Sequence, residues 1–303
     1  MEVIAVYDEK IITTGISQGR LFMFIMELYR ENYSLIKAVN LGLRDSLAIH
    51  NIIYNENSVY MADSFNNKIY KFDINTNELF ETNVGRDPRH MCTDNENIYV
   101  ANFESDNISI IDLSSFMLTG SIPAGIKAHD VIYSEKYNSL YASCYEENEV
   151  MEYTIDKGLV RSFKTEGKPM HLFLLDHIIA AMTYYVNGNV HTKINFINLK
   201  NGNIEDIIVI EGLASDFLLD QGNNMLYLLN IVDKSLYIVD AEIRKVVKEV
   251  YLGGYPESIS CGAHNIYVTN SKKQQINVIE KKGYNIAGCI DLQFVPNLIK
   301  VIH

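Results

Sequence analysis

The 303-residue chain contains no tryptophan, five prolines and four cysteines. Each scarcity excludes something. Without tryptophan, a repeat of the WD type is not expected. The cysteines (Cys92, Cys144, Cys261 and Cys289) show no Cys-x-x-Cys spacing, so neither a zinc ribbon nor a dithiol redox motif nor covalent haem attachment is indicated. All four fall inside expected strands, where a free thiol behaves as a small hydrophobe. A reduced, cytoplasmic protein is therefore expected. Proline is expected only in turns (Pro88, Pro169, Pro256) or at a strand edge (Pro123), because it cannot donate to a ladder. Long apolar runs are missing too. The most apolar window, LFMFIM at Leu21–Met26, is too short to span a bilayer. The opening MEVIAVYDEK has neither a basic n-region nor an apolar h-region, so no secretory signal is expected. Basic charge is outweighed: Lys and Arg number 26 against 38 Asp and Glu, for a net charge of −12 and a pI near 5.1. That balance argues against nucleic acid and anionic membrane as partners, and it helps to keep the chain soluble. P-loop and Gly-x-Gly-x-x-Gly motifs are lacking, so kinase and dinucleotide readings have no support.

What the chain does have is repetition. NSVYMADSFNNKIYKFD, ENIYVANFESDNISIID, NSLYASCYEENEVMEYT, NMLYLLNIVDKSLYIVD and HNIYVTNSKKQQINVIE are copies of one pattern. Two degenerate copies begin at Lys10 and His177. Aligned reference positions are Ile12, Tyr60, Tyr99, Tyr141, Ala180, Tyr227 and Tyr267, spaced 39 to 48 residues apart. Seven copies at a period of about 40–45 residues predict an all-β, seven-bladed β-propeller, one four-stranded antiparallel blade per repeat. Residues 1–303 are then a single domain. The third copy predicts strand A at Arg89–Thr93, B at Ile98–Ala101, C at Ile108–Ile111 and D at Leu118–Ile122. The segment Leu21–Ile36 has helical periodicity as well, but its register with the other copies favours strands C and D of blade 1. Both EVIAVYDE and PNLIKVIH fit the strand-A pattern. The nine-residue spacing to Ile12 favours Val3–Tyr7 as the inner strand of blade 1, leaving Leu298–Ile302 without an assigned role.

On these residues the chain resembles the YVTN β-propeller repeat, whose tetrapeptide stands here at Tyr267–Asn270. The likeness runs along essentially the whole chain and is good in blades 2, 3, 6 and 7. It implies a seven-bladed propeller. Related propellers serve as surface-layer proteins, binding modules, hydrolases and lyases, so the resemblance implies little about activity.

Two polar columns recur in nearly every copy and are read as structural. The first ends strand B (Asp63, Asn102, Asn230, Asn270) and suits side chains that bond turn backbone. The second ends strand C (Asp73, Asp112, Asp240, Glu280). The strand-B tyrosines are expected to pack between blades.

The start of strand A differs, because it stays polar while changing identity. It contributes Asn51, His90, Asp130, His171, Asp216 and Ser258, preceded by His50, Arg89, His129 and Glu257. These residues are expected at one mouth of a central channel, with Arg44 and Arg86 from preceding turns. Three readings compete. The residues are a solvated pore lining. Or they bind a small polar or acidic ligand or a protein partner, with arginine gripping carboxylate or phosphate. Or His90, Asp130, His171 and Asp216 hold a divalent metal and the protein is a metal-dependent hydrolase or lyase, lactonase-like. The expectation is a binding module with its ligand at this mouth.

Overall fold

A computed structural model describes residues 9–29 and 32–302. They form seven four-stranded antiparallel sheets, the blades of a seven-bladed β-propeller fold. Among the described residues the only helical element is a single 3-10 turn, Arg44–Ser46. The ambiguous segment after Leu21 is two strands, Arg20–Tyr29 and Asn32–Leu43. The sheets group into two compact units, residues 48–213 and residues 1–47 with 214–303.

The unit of residues 48–213 holds blades 2 to 5. Blade 3 is typical: strand A is Pro88–Thr93, B is Asn97–Asn102, C is Asn107–Asp112 and D is Leu118–Pro123. Strand B is apolar on both faces because it is covered on both faces, which is why it reads as a continuous hydrophobic run. Tyr60, Tyr99 and Tyr141 are buried there, and the Tyr99 hydroxyl donates to Asp94 of the A–B turn at 2.5 Å. The degenerate fifth copy has a physical cause. Its central hairpin, Ile178–Asn187 with Asn189–Asn198, is longer than its counterparts and carries exposed Tyr185 and Val186 at its tip.

The other unit holds blades 6, 7 and 1. Blade 1 differs from expectation. The strand beside Glu9–Ser17 is the C-terminal Val295–Ile302, which pairs Lys10 with Ile302 and Ile12 with Lys300. Val3–Tyr7 lies outside the described residues. Leu298–Ile302, left unassigned by sequence, thus supplies strand A of blade 1. Spacing alone could not discriminate between two segments with the same alternation. Phe294, just before this strand, stacks on Phe24 with ring centres 3.9 Å apart. A Cβ on Gly15 would lie 2.4 Å from the Phe294 ring. That contact explains why glycine stands where the other copies carry Asp, Asn, Cys or Thr.

The strand-B column acts as a turn lock. Asn270 is fully buried. Its Nδ2 donates to the Gly253 carbonyl at 2.8 Å, and its Oδ1 accepts from the Tyr255 amide at 3.0 Å and the Lys273 amide at 3.3 Å. One side chain therefore ties the turn before strand A to the turn after strand B. Gly254 has φ +65°, and any Cβ there would sit 2.1 Å from Asn270 Oδ1. The strand-C column behaves as expected: Asp73, Asp112 and Asp240 accept turn amides. Pro88 and Pro256 prove to be the first residues of strand A, and Pro169 the second, where a missing N–H costs no ladder bond. Asn270→Ala should lower the unfolding free energy by about 2–4 kcal/mol, because buried turn groups lose their partners. Gly254→Ala should destabilise as well. Urea unfolding of both variants checks this.

Candidate functional site

Strand A carries a β-bulge near its start in every blade. In blade 3 the register jumps from Pro88↔Asn102 to Met91↔Val100, and in blade 4 from Ala128↔Cys144 to Val131↔Ala142. The same shift occurs at Ile49/Asn51, Pro169/Leu172, Ala214/Asp216 and Pro256/Ile259. In blade 1 it falls between Pro296 and Ile299. A bulge adds a residue and re-aims its side chain. The residues singled out by sequence are those at the bulge, so it is the bulge that turns them out of the blade packing.

In blades 2 to 5 this brings four histidines together. His90 lies 5.2 Å from His50, 5.0 Å from His129 and 4.6 Å from His171, ring centre to ring centre. His129 lies 5.5 Å from His50 and 5.3 Å from His171. His129 and His171 are buried, while His50 and His90 keep part of their rings open. Arg89 donates to His50 Nδ1 at 3.4 Å, pairs with Asp87 at 2.7 Å and lies over the Phe103 ring at 5.0 Å. The Asn51 amide meets His90 Nδ1 at 3.3 Å. The Met170 backbone beside His129 partly opposes the fall of its pKa. Three buried polar atoms of this cluster have no partner: Asn51 Oδ1, Arg89 Nε and His129 Nδ1.

The aspartates at these bulges have a different role. Asp130 Oδ1 accepts its neighbour Val131's amide at 2.8 Å, and Oδ2 accepts Leu172 N–H of the next blade at 2.8 Å. In the other unit Asp216 repeats the pattern. Its Oδ1 accepts Phe217 N–H at 2.8 Å, and its Oδ2 accepts Ile259 N–H at 2.9 Å and the Ser258 hydroxyl at 3.0 Å. Ser258 Oγ in turn receives Ile299 N–H at 3.4 Å. These side chains join one inner strand to the next within their unit. Glu257 is exposed and accepts from Ser271 Oγ. Arg86 is exposed and donates to the Glu104 carbonyl at 2.8 Å, and Arg44 is exposed in its 3-10 turn.

Sequence reasoning missed a lip beside the histidines. Phe103 and Tyr145 follow strand B in blades 3 and 4, their rings 5.9 Å apart. Phe103 lies 6.0 Å from His129. Lys127 caps Phe103 at 5.3 Å and Lys168 caps Tyr145 at 4.5 Å. An aromatic one residue past the Asn102 and Cys144 column was the available signal. Lys300 was missed as well. It occupies a strand-A position held elsewhere by Ile53, Cys92, Ile132, Phe173, Leu218 and Ser260.

Burial sets the protonation of the cluster. It lowers His50 to about 3, helped by the Arg89 charge and by His171, and His171 to about 4. His90 and His129 fall well below the ordinary imidazole range for the same reason, reinforced by the neighbouring rings. All four are neutral at pH 7. Asp216 moves oppositely: burial raises it to about 6 despite its three donors. Burial also lowers the Lys300 amine and raises the Cys92 thiol, leaving Cys92 protonated and unreactive.

No family model matches the sequence, and no curated protein matches it. Solved structures do. A candidate 6-phosphogluconolactonase from Bacteroides fragilis is similar at TM-score 0.74 and 14% identity, over 98% of each chain. Apo AztD from Citrobacter koseri is similar at TM-score 0.66 and 12% identity, over 97% of this chain and 98% of that one. Dihydro-heme d1 dehydrogenase NirN is similar at TM-score 0.68 and 16% identity, covering 93% of this chain and 63% of that longer one. At these identities the likeness shows the fold alone.

Unfolded histidines take up protons below about pH 6.5, while the folded cluster resists protonation. Their stabilising contribution is thus fully present above that pH and is lost as pH falls toward 4. Asp216 has the opposite sign, since its contribution fades as pH rises through about 6. Four imidazoles outweigh one carboxyl, so the melting temperature should drop from pH 7.5 to 4.5. His90→Gln should flatten that slope in a calorimetric pH series.

Proposed function

We propose that this protein is a YVTN-type, single-domain β-propeller that binds a small polar, anionic ligand at the strand-A bulges of blades 2 to 5. The residues assigned to the ligand are His50, Asn51, Arg89, His90, His129 and His171. The observation that carries this reading is the convergence of three partnerless buried polar atoms, Asn51 Oδ1, Arg89 Nε and His129 Nδ1, on one cluster. Native interiors rarely leave such groups unpaired, and a bound solute or ion is a common reason when they do.

Charge supports the sign of the ligand. The chain as a whole is acidic, yet Arg89 reaches the cluster at His50 while pairing with Asp87, and Lys127 and Lys168 stand at its aromatic lip, paired with Glu104 and Glu146. Arg89 suits a carboxylate or phosphate because its donors form a planar fork. Neutral histidines offer donor or acceptor to the rest of the ligand. Asp130 belongs to the reading as a support that holds its bulge, and Asp216 and Ser258 do the same for the bulges of their own unit. Arg86 stands on the turn before strand A of blade 3, and Glu257 belongs to the other unit. The free thiols suit a reducing compartment, the cytoplasm. The second reading, lactonase-like hydrolysis or lyase chemistry, depends on whether these histidines hold an ion.

Isothermal titration of the protein with inorganic phosphate, succinate and a sugar phosphate tests the assignment. At least one should bind, and Arg89→Ala should weaken it about tenfold or more, as expected for a lost charge-assisted bidentate contact. Binding by none of the three, or binding indifferent to Arg89, would overturn it.

A further inference from the structure

We infer that the histidine cluster is a transition-metal site, with His50, His90 and His129 holding one divalent ion of the zinc–cobalt–nickel type. This rests on the same cluster as the ligand-binding reading and names a resident of it. Ligand atoms of these three residues all lie within 4.8 Å of one another. The ring spacing fits a shared ion. Two imidazoles bound at about 2.0–2.1 Å and a tetrahedral angle place their ring centres about 5 Å apart. The three spacings here are 5.2, 5.5 and 5.0 Å.

His129 gives the most direct evidence. It is 3% exposed, and its Nδ1 has no partner. The Met170 backbone favours a proton on this ring, and with Nδ1 facing no partner the proton is assigned to Nε2. Nδ1 then carries a buried lone pair facing no donor, as a metal ligand requires. Met170 O is itself fixed by the Ser143 hydroxyl at 2.7 Å.

His90 shows a matching clue. Asn51 approaches His90 Nδ1 with its amide nitrogen while Asn51 Oδ1 is buried without a partner. Turning the amide over lets Oδ1 accept Nδ1–H. The amide nitrogen then takes the buried place without a partner, and His90 Nε2 is left as a free lone pair. Arg89 reaches His50 Nδ1 at 3.4 Å, a long contact that the ion would displace to take the His50 lone pair, and Asp87 pairs with Arg89 at 2.7 Å and offsets its charge. His171 stands 4.6 Å from His90 and 5.3 Å from His129. It can take the fourth position or leave it to water or an exogenous anion. All-nitrogen donors suit zinc, cobalt or nickel and disfavour calcium and magnesium.

Metal-stripped protein without a polyhistidine tag, titrated with Co(II) and followed by visible absorption, tests this. One equivalent should bind and give the intense bands of a four- or five-coordinate site. His90→Gln and His129→Gln should each weaken binding about 100-fold, while His177→Gln and His264→Gln, outside the cluster, should not. Should either cluster variant fail to fold, zinc K-edge absorption of the unaltered protein counts its imidazole ligands directly. Fewer than three imidazoles, no stoichiometric uptake, or uptake unchanged in folded His90→Gln would overturn the metal site. Phosphate, succinate or sugar-phosphate binding that persists and depends on Arg89 in the metal-free protein would then leave the ligand-binding reading standing. Loss of both would remove both.

Discussion

The extra residue at the start of every inner strand is the constraint on which the rest depends. A regular strand would send His129 and Asp130 to opposite faces by simple alternation. The bulge breaks that alternation between Ala128 and Val131. It leaves an amide of the following strand to be satisfied from outside its own ladder, and the side chain one blade back satisfies it. Asp130 does so for Leu172, Asp216 for Ile259 and Ser258 for Ile299. The acceptor can be a carboxylate or a hydroxyl, because only an acceptor at the right place is needed. The bulge therefore both creates a functional position and consumes some of the polar residues found there.

That division separates structural from chemical residues within one column. Asp130 and Asp216 give both carboxylate oxygens to backbone amides. In blades 2 and 3 the same column carries Asn51 and His90, which meet each other instead. Two of the partnerless atoms, Asn51 Oδ1 and Arg89 Nε, lie in blades 2 and 3, where no carboxylate makes this join, and the third, His129 Nδ1, lies beside the Asp130 that does. Repetition of a contact across blades marks support, whereas departure from it marks chemistry. By this criterion the strand-C aspartates and the buried tyrosines are scaffold, and the cluster of blades 2 to 5 is not.

Burial makes the cluster usable. Four imidazoles packed at 4.6 to 5.5 Å could not all be charged, since each proton would repel the next and none would be hydrated. They stay neutral, with a lone pair on each ring, at the expense of acid stability. Phe103 lies beside His129, and the cations over Phe103 and Tyr145 (Arg89, Lys127 and Lys168) are each paired with a carboxylate. Solved structures of similar fold share the blades at 10–16% identity, too remote to carry over a site.

Much of this was legible in the chain. The recurring reference position from Ile12 to Tyr267 determined seven blades, because a strand buried on both faces must be apolar wherever it recurs. The Asn and Asp columns were readable as turns, since a short polar side chain beside a hairpin has backbone to bond. Four histidines could be assigned to two adjacent columns by counting back from strand B. The inner strand of blade 1 could not be chosen from sequence, because Val3–Tyr7 and Leu298–Ile302 carry the same alternation and only pairing to Glu9–Ser17 decides between them. Nor could sequence tell which polar bulge residues were already spent. Asp130 and His129 are neighbours in the chain, yet one is bound to an amide 42 residues away and the other keeps a bare nitrogen. That difference exists only once neighbouring strands are in register, because a hydrogen bond across blades depends on distance in space and not on spacing along the chain.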